Sequence, residues 1–207
     1  GTPDWSCWKC GLIMESRINR LRKILKEEKL DAILISNSEN RRYLSGFSGS
    51  AGYLVISSTD AILATDFRYI EQAGRQSPEF EVVRIGGAQS WLSDILGSRK
   101  LRNIAFESNN LTVAQHQNLI TSLDKALPKA RIQLLPTTSI VENLRSIKDE
   151  HEMVLLTKAI EISDQAFANV EPLILEGLTE KEIAWLLEKE VRTLGGDAIS
   201  FLSLIHI

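Results

Sequence analysis

The sequence predicts an α/β protein built in layers around a mainly parallel or mixed sheet, and three observations predict it. Apolar runs of strand length recur through residue 135, among them "DAILIS" (Asp31 to Ser36), "GYLVIS" (Gly52 to Ser57) and "RNIAFE" (Arg102 to Glu107). Segments with apolar residues spaced by three and four, as on one face of a helix, separate most of these runs. The run at Asp31 to Ser36 is continuously apolar rather than alternating, the pattern of a strand covered on both faces.

The elements follow in order. From Glu15 to Lys29, Ile18, Leu21, Ile24 and Leu25 recur at helical spacing beneath a charged outer face, giving an amphipathic helix whose stripe needs a sheet. After the strand at Asp31 to Ser36 comes a short helical candidate at Asn40 to Leu44, then a glycine corner at Gly46, Gly49 and Gly52. "GYLVIS", the turn "SSTD" and "AILAT" read as a hairpin. Beyond it "DFRYIEQAGRQ" reads as helix, "FEVVRI" as strand and "AQSWLSDIL" as helix. "RNIAFE" is the next strand, "TVAQHQNLITSLDKAL" the next helix and "RIQLL" the last strand, with Pro136 interrupting. A first domain over residues 15–135 is therefore expected.

After Pro136 the pattern is almost wholly helical, with Ile160, Phe167, Val170 and Ile174 on a recurring face. Thr179 and Glu182 have the spacing of a capping box, which starts a helix ending near Leu194 to Gly196. A second region over 136–201 follows, a linker and the start of another domain. Residues 1–14 precede any periodicity and read as a non-native or leader segment, and 202–207 as a non-native tail.

Composition limits the function classes. At 207 residues, 43% hydrophobic and 25% charged, the chain has the makeup of a globular protein. A net charge of −3 with intermixed signs leaves no footprint for nucleic acid. No apolar run reaches the ~18 residues that suggest a membrane span, and a cytoplasmic location is expected. The two cysteines, Cys7 and Cys10, form half of a zinc site at most, because structural zinc takes four ligands.

The stretch "RRYLSGFSGSAGYLVIS" (Arg41 to Ser57) comes near two catalytic templates and matches neither. A nucleophile elbow needs G-x-S-x-G, and after Gly46-Phe47-Ser48 the second glycine arrives one place early. A phosphate loop needs a lysine, or the order strand, loop, helix, and neither is present. The glycines therefore read as a structural turn. Asp66 with Arg68 and Tyr69 reads as a cap that pins the following helix. Of the three histidines, His116 is flanked by glutamines and faces solvent on this reading. His151 sits between carboxylates that point in different directions on a helix, and His206 is in the tail. No residues are assigned to catalysis or to a metal site.

Three phrases carry a resemblance. "NRRYLSGFSGSAGYLVIS" (Asn40 to Ser57) is similar to Y-L-[ST]-G-F-[ST]-G-S-x-G followed by a strand, and "ATDFRYIEQA" (Ala64 to Ala73) to T-D-x-R-Y-x-x-Q-A. "VENLRSIKDEHEMVLLTKAIEISDQAF" (Val141 to Phe167) is similar to R-x-I-K-x-x-x-E followed by a long helix. In this order they resemble the aminopeptidase P, prolidase and creatinase family. The resemblance implies a creatinase-like, three-layer α/β amino-terminal domain with a mixed sheet, followed by the first helices of an incomplete α+β pita-bread domain.

For the full-length parent, the resemblance implies hydrolysis at an Xaa-Pro bond in short proline-containing peptides. The work would be done by two divalent ions, Mn, Co or Zn, held by two Asp, one His and two Glu. Those ligands come after the helices ending near Gly196 in the family pattern, so this chain is expected to be an inactive amino-terminal fragment with no cofactor of its own. A homodimer or higher homo-oligomer is implied, with the glycine loop shaping a rim beside a neighbouring active-site mouth. Arg41, Tyr43, Phe47 and Arg68 are the candidate substrate-facing rim residues. A non-catalytic peptide-binding module of the same architecture and a creatinase-type hydrolase are the alternatives.

Overall fold

The computed structural model describes residues 15–86 and 90–198. The expectations for Cys7, Cys10 and the leader, and for His206 and the tail, lie outside the described residues. The chain divides into two compact units between Ser146 and Ile147.

The first unit opens with helix α1 (Arg17–Glu27), capped by Ser16, whose hydroxyl accepts from the amide of Asn19. Ile18, Leu21 and Leu25 are its buried stripe. Lys29, at φ 56°, turns the chain out of the helix into strand β1 (Ala32–Ile35), which is buried at every position. Helix α2 (Ser38–Ser45) follows. Strands β2 (Tyr53–Ser57) and β3 (Ala61–Thr65) then form the expected hairpin, antiparallel with Leu54 opposite Leu63. A 3₁₀ turn at Phe67–Tyr69 leads into helix α3 (Ile70–Gln76), so the helix expected from Asp66 begins with a tighter turn. Strand β4 (Glu81–Arg84), helix α4 (Ser90–Arg99), strand β5 (Asn103–Glu107) and helix α5 (Val113–Ala126) come next.

The sheet is mixed and six-stranded, in the order β4, β3, β2, β1, β5 and β6 (Gln133–Thr137). The β1–β2 and β2–β3 pairings are antiparallel; β3–β4, β1–β5 and β5–β6 are parallel. Because successive strand residues face opposite sides, β1 feeds two cores. Ile33 and Ile35 join Leu21, Leu25, Tyr43, Leu44, Phe47 and Val141 on one face. Ala32 and Leu34 join Trp91, Leu92, Leu96, Ile104 and Phe106 on the other. Full burial of each Leu or Ile contributes ~1.5–3 kcal/mol, which is why the continuous apolar run settles in the centre of a three-layer α/β/α unit.

The first unit carries on past Pro136. Strand β6 runs through that proline instead of ending before it, which an edge strand tolerates. Its ladder bonds come from alternate residues: the Gln133 amide donates to the Arg102 carbonyl, and the Thr137 carbonyl accepts from Ser108. Pro136 therefore directs its nitrogen outward, where a donor is not needed. Helix α6 (Ile140–Ser146) closes the unit by seating Val141 in the core.

In the second unit, α7 (Glu150–Val170) and α8 (Glu180–Thr193) pack on each other. Both begin with capping boxes, Asp149 with Glu152 and the expected Thr179 with Glu182. The face expected to join Ile160, Phe167, Val170 and Ile174 is split: Ala166 and Val170 are buried, while Met153, Leu156, Ile160 and Phe167 form a separate exposed stripe and Ile174 is exposed beyond the helix. At 100° per residue, Val170 lies roughly a sixth of a turn from that stripe.

Candidate functional site

The glycine stretch is a loop pinned from beneath. Asn37 caps α2 by accepting from the Asn40 amide at 2.9 Å, and Gly46 ends it at φ 76°, a conformation that costs glycine no Cβ clash. From within α2, Arg41 reaches under the loop and donates Nη1 to the Gly52 carbonyl and Nη2 to the Gly49 carbonyl, both at 2.7 Å. Arg41 is only 2% exposed. Burial lowers its pKa below the ordinary value, opposed by Glu39, Glu107 and Tyr53. An arginine starts so far above neutrality that it keeps its charge.

Phe47 is fully buried and meets Tyr69 edge to face, with centroids 6.0 Å apart. Tyr43 is also buried. Arg17 stacks 4.3 Å over its ring, Arg20 donates to its hydroxyl at 3.0 Å, and that hydroxyl donates to the Leu144 carbonyl at 3.3 Å. Of the four candidate rim residues, Arg41, Tyr43 and Phe47 thus lie inside; Arg41 and Phe47 support the loop from below, while Tyr43 ties α2 to α1 and to the Leu144 carbonyl. Arg68 alone presents its side chain to solvent.

Above the loop lies an exposed polar rim. The hydroxyls of Ser50 and Tyr69 are 2.7 Å apart, while the buried Thr65 anchors the loop backbone by donating its hydroxyl to the Ala51 carbonyl at 2.7 Å. Gln76 accepts from the Ser48 amide and donates to the Ser48 hydroxyl. Asp66 caps the 3₁₀ turn by accepting from the Arg68 amide, and takes the Arg68 guanidinium at 3.1 and 2.7 Å. The Arg68 guanidinium and amide hold the Asp66 carboxyl below its usual range, and Asp66 in turn raises Arg68. Phe67 is 69% exposed, with the Arg84 guanidinium 5.8 Å from its ring centre. Ser48 and Ser50 bond to side-chain amides and a phenol, a set of donors and acceptors suited to binding a polar group.

A second polar cluster was not read from the sequence. Glu107, at the end of β5, accepts from the amides of Ser36 and Asn37 at 2.6 and 2.7 Å and from Asn40 Nδ2 at 2.7 Å. Asn40 Nδ2 also donates to Glu142, and Asn40 Oδ1 accepts from Arg145 at 2.9 Å. The available signal was phase: Asn40 shares the inward face of α2 with Tyr43 and Leu44, at spacings of three and four.

Among the described residues, no group of three or more His, Cys, Asp or Glu gathers as an ion site, so no metal-assisted step is assigned to these side chains. His116 is half-buried against Phe106, ring centres 4.8 Å apart, instead of facing solvent, because α5 lies over the end of β5. His151 is exposed on α7. No described helix is long and apolar enough to cross a membrane.

Comparison with known proteins decides the family. Residues 17–147 match the model of the creatinase/prolidase N-terminal domain. The chain belongs to that family. Across 186 residues it is 34% identical to an uncharacterized peptidase, YqhT, of Bacillus subtilis, covering 89% of this chain and 51% of that protein. The structure of an Xaa-Pro dipeptidase from Bacillus anthracis superposes with a TM-score of 0.81 at 33% identity, over 89% of this chain and 50% of the other. An X-Pro aminopeptidase from Thermotoga maritima gives 0.78 at 30% identity, over 90% and 51%. This member of the creatinase/prolidase N-terminal family spans about half the length of the curated relatives it matches over most of its own length.

Proposed function

We propose that the chain is the amino-terminal half of an Xaa-Pro aminopeptidase or Xaa-Pro dipeptidase, a cytoplasmic enzyme acting on short proline-containing peptides. One observation carries the reading: likeness to proteins named as peptidases covers 89% of the chain, more than the first unit alone can supply, yet only about half of each of them. On this reading a pair of divalent ions, Mn, Co or Zn, is held by sequence beyond the described residues, and the isolated chain turns over no peptide. The loop at Gly46 to Gly52, with Phe67 and Arg68 beside it, forms a wall of the substrate entrance in a homodimer or larger homo-oligomer.

The test compares the 207-residue chain with the full reading frame that contains it, each given an Xaa-Pro dipeptide and a proline-second tripeptide with Mn²⁺. Turnover by the full protein alone is the expected result. Metal-dependent turnover by the chain alone would overturn the assignment of the ligands to later sequence. A full protein that binds the peptides, takes up no ion and cleaves neither would establish the non-catalytic reading instead.

A further inference from the structure

Two of the phrases that looked separate in the sequence meet at one side chain. Asn40 opens the first phrase, and Arg145 and Glu142 belong to the one that leads into the second unit. Asn40 is 0% exposed and uses both ends of its amide: Nδ2 serves Glu107 at 2.7 Å and Glu142 at 2.7 Å, while Oδ1 accepts from Arg145 Nη1 at 2.9 Å. One turn along α2, Tyr43 reaches the same helix through the Leu144 carbonyl. Behind Asn40, Glu107 is fixed by two consecutive backbone amides at the start of α2, so its carboxylate gives the Asn40 amide little freedom to turn.

Helix α6 has only seven residues, too short to hold itself in water; Val141 is buried, and Ile140 and Leu144 pack partly buried against the same core. Apolar contacts are non-directional and tolerate small shifts of so short a helix, whereas a buried amide that must satisfy carboxylates on one side and a guanidinium on the other narrows its setting. We infer that Asn40 is a clamp that fixes the orientation of α6 on α2 and β5. It thereby sets where the chain leaves the first unit relative to the loop that Arg41, the next residue, holds. Neither the clamp nor its consequence depends on the peptidase reading.

Hydrogen exchange on the intact chain tests this. Arg145→Leu keeps the apolar stem and removes the guanidinium; peptides covering residues 139–149 should exchange about tenfold faster, the effect expected for losing one charge-assisted bond, while β1 and β5 keep their protection. Glu142→Gln retains a neutral carbonyl acceptor and should raise α6 exchange less than Arg145→Leu does. Asn40→Ala, if it folds, should match Arg145→Leu at α6, and combining the two should add little further. Unchanged exchange in Arg145→Leu would show that the apolar contacts of Ile140, Val141 and Leu144 suffice and would overturn the clamp. So would an equal rise throughout the sheet, or full additivity in the double variant.

Discussion

The ring of Phe47 fills the space that a side chain on Gly49 would need. A Cβ built there falls inside the van der Waals envelope of the ring, 2.8 Å from Cε1 and closer still to Cζ. Glycine is required at this position because of close approach from below, with the Arg41 guanidinium bonded to the same residue's carbonyl.

Gly49→Ala should therefore cost about 1–3 kcal/mol, the range for forcing extra volume into a packed site. Gly74→Ala is the matched control: it lies in α3 with nothing within 4 Å of an added Cβ, and should gain about 0.5–1 kcal/mol from the better helix former. Urea midpoints at unchanged slope would read both effects. Equal responses would mean that the ring does not set the constraint.

Arg41→Lys should destabilise despite the retained charge. A single ammonium cannot reproduce two parallel N–H bonds to the carbonyls of Gly49 and Gly52, and leaving a buried acceptor unpaired costs about 1–3 kcal/mol. Chemical denaturation would show whether the midpoint moves, and loss of protection at residues 48–52 would place the damage in the loop.

Asp60 gives a dependence on pH. Burial raises its carboxyl, but bonds from Ser57 and Thr59, both at 2.8 Å, and the Arg99 guanidinium at 3.1 Å outweigh that and leave it lowered. A carboxyl whose pKa is lower folded than unfolded contributes stability at pH above its unfolded value, near 3.9, and loses it as pH falls through the folded value. The wild-type protein should thus melt above Asp60→Asn at pH 7, with the gap closing below about pH 4. A gap that stays constant down to pH 2 would contradict this assignment.

Arg68→Ala should leave the melting temperature of the chain nearly unchanged, since the Arg68–Asp66 pair lies at the surface, where solvent screens it. In the full-length protein, if the rim faces substrate, the same change should lower kcat/KM. Unaltered kinetics on both a dipeptide and a tripeptide would remove Arg68 from the entrance.

Much of the fold was legible because burial leaves a pattern. The unbroken apolar run at Ala32 to Ile35 announced a strand covered on both faces, and Thr179 with Glu182 announced a helix start. Pro136 misled because a proline reads as a stop, and only the sheet order reveals that its strand lies at an edge with the nitrogen pointing out. The loop was legible as a turn from its glycines. That Arg41 and Phe47 support it from inside was not, since an arginine beside another arginine reads as surface until the carbonyls it serves are folded over it. Asn40 was hidden for the same reason: three of its partners lie between 67 and 105 residues away along the chain.

The proline in β6 also bears on this edge of the sheet. A stray segment trying to lengthen the sheet beyond this strand would find, opposite one of its own carbonyls, a ring carbon where it needs a proton. Growth by edge addition, the first step toward fibrils, is therefore discouraged on this flank without any charged gatekeeper.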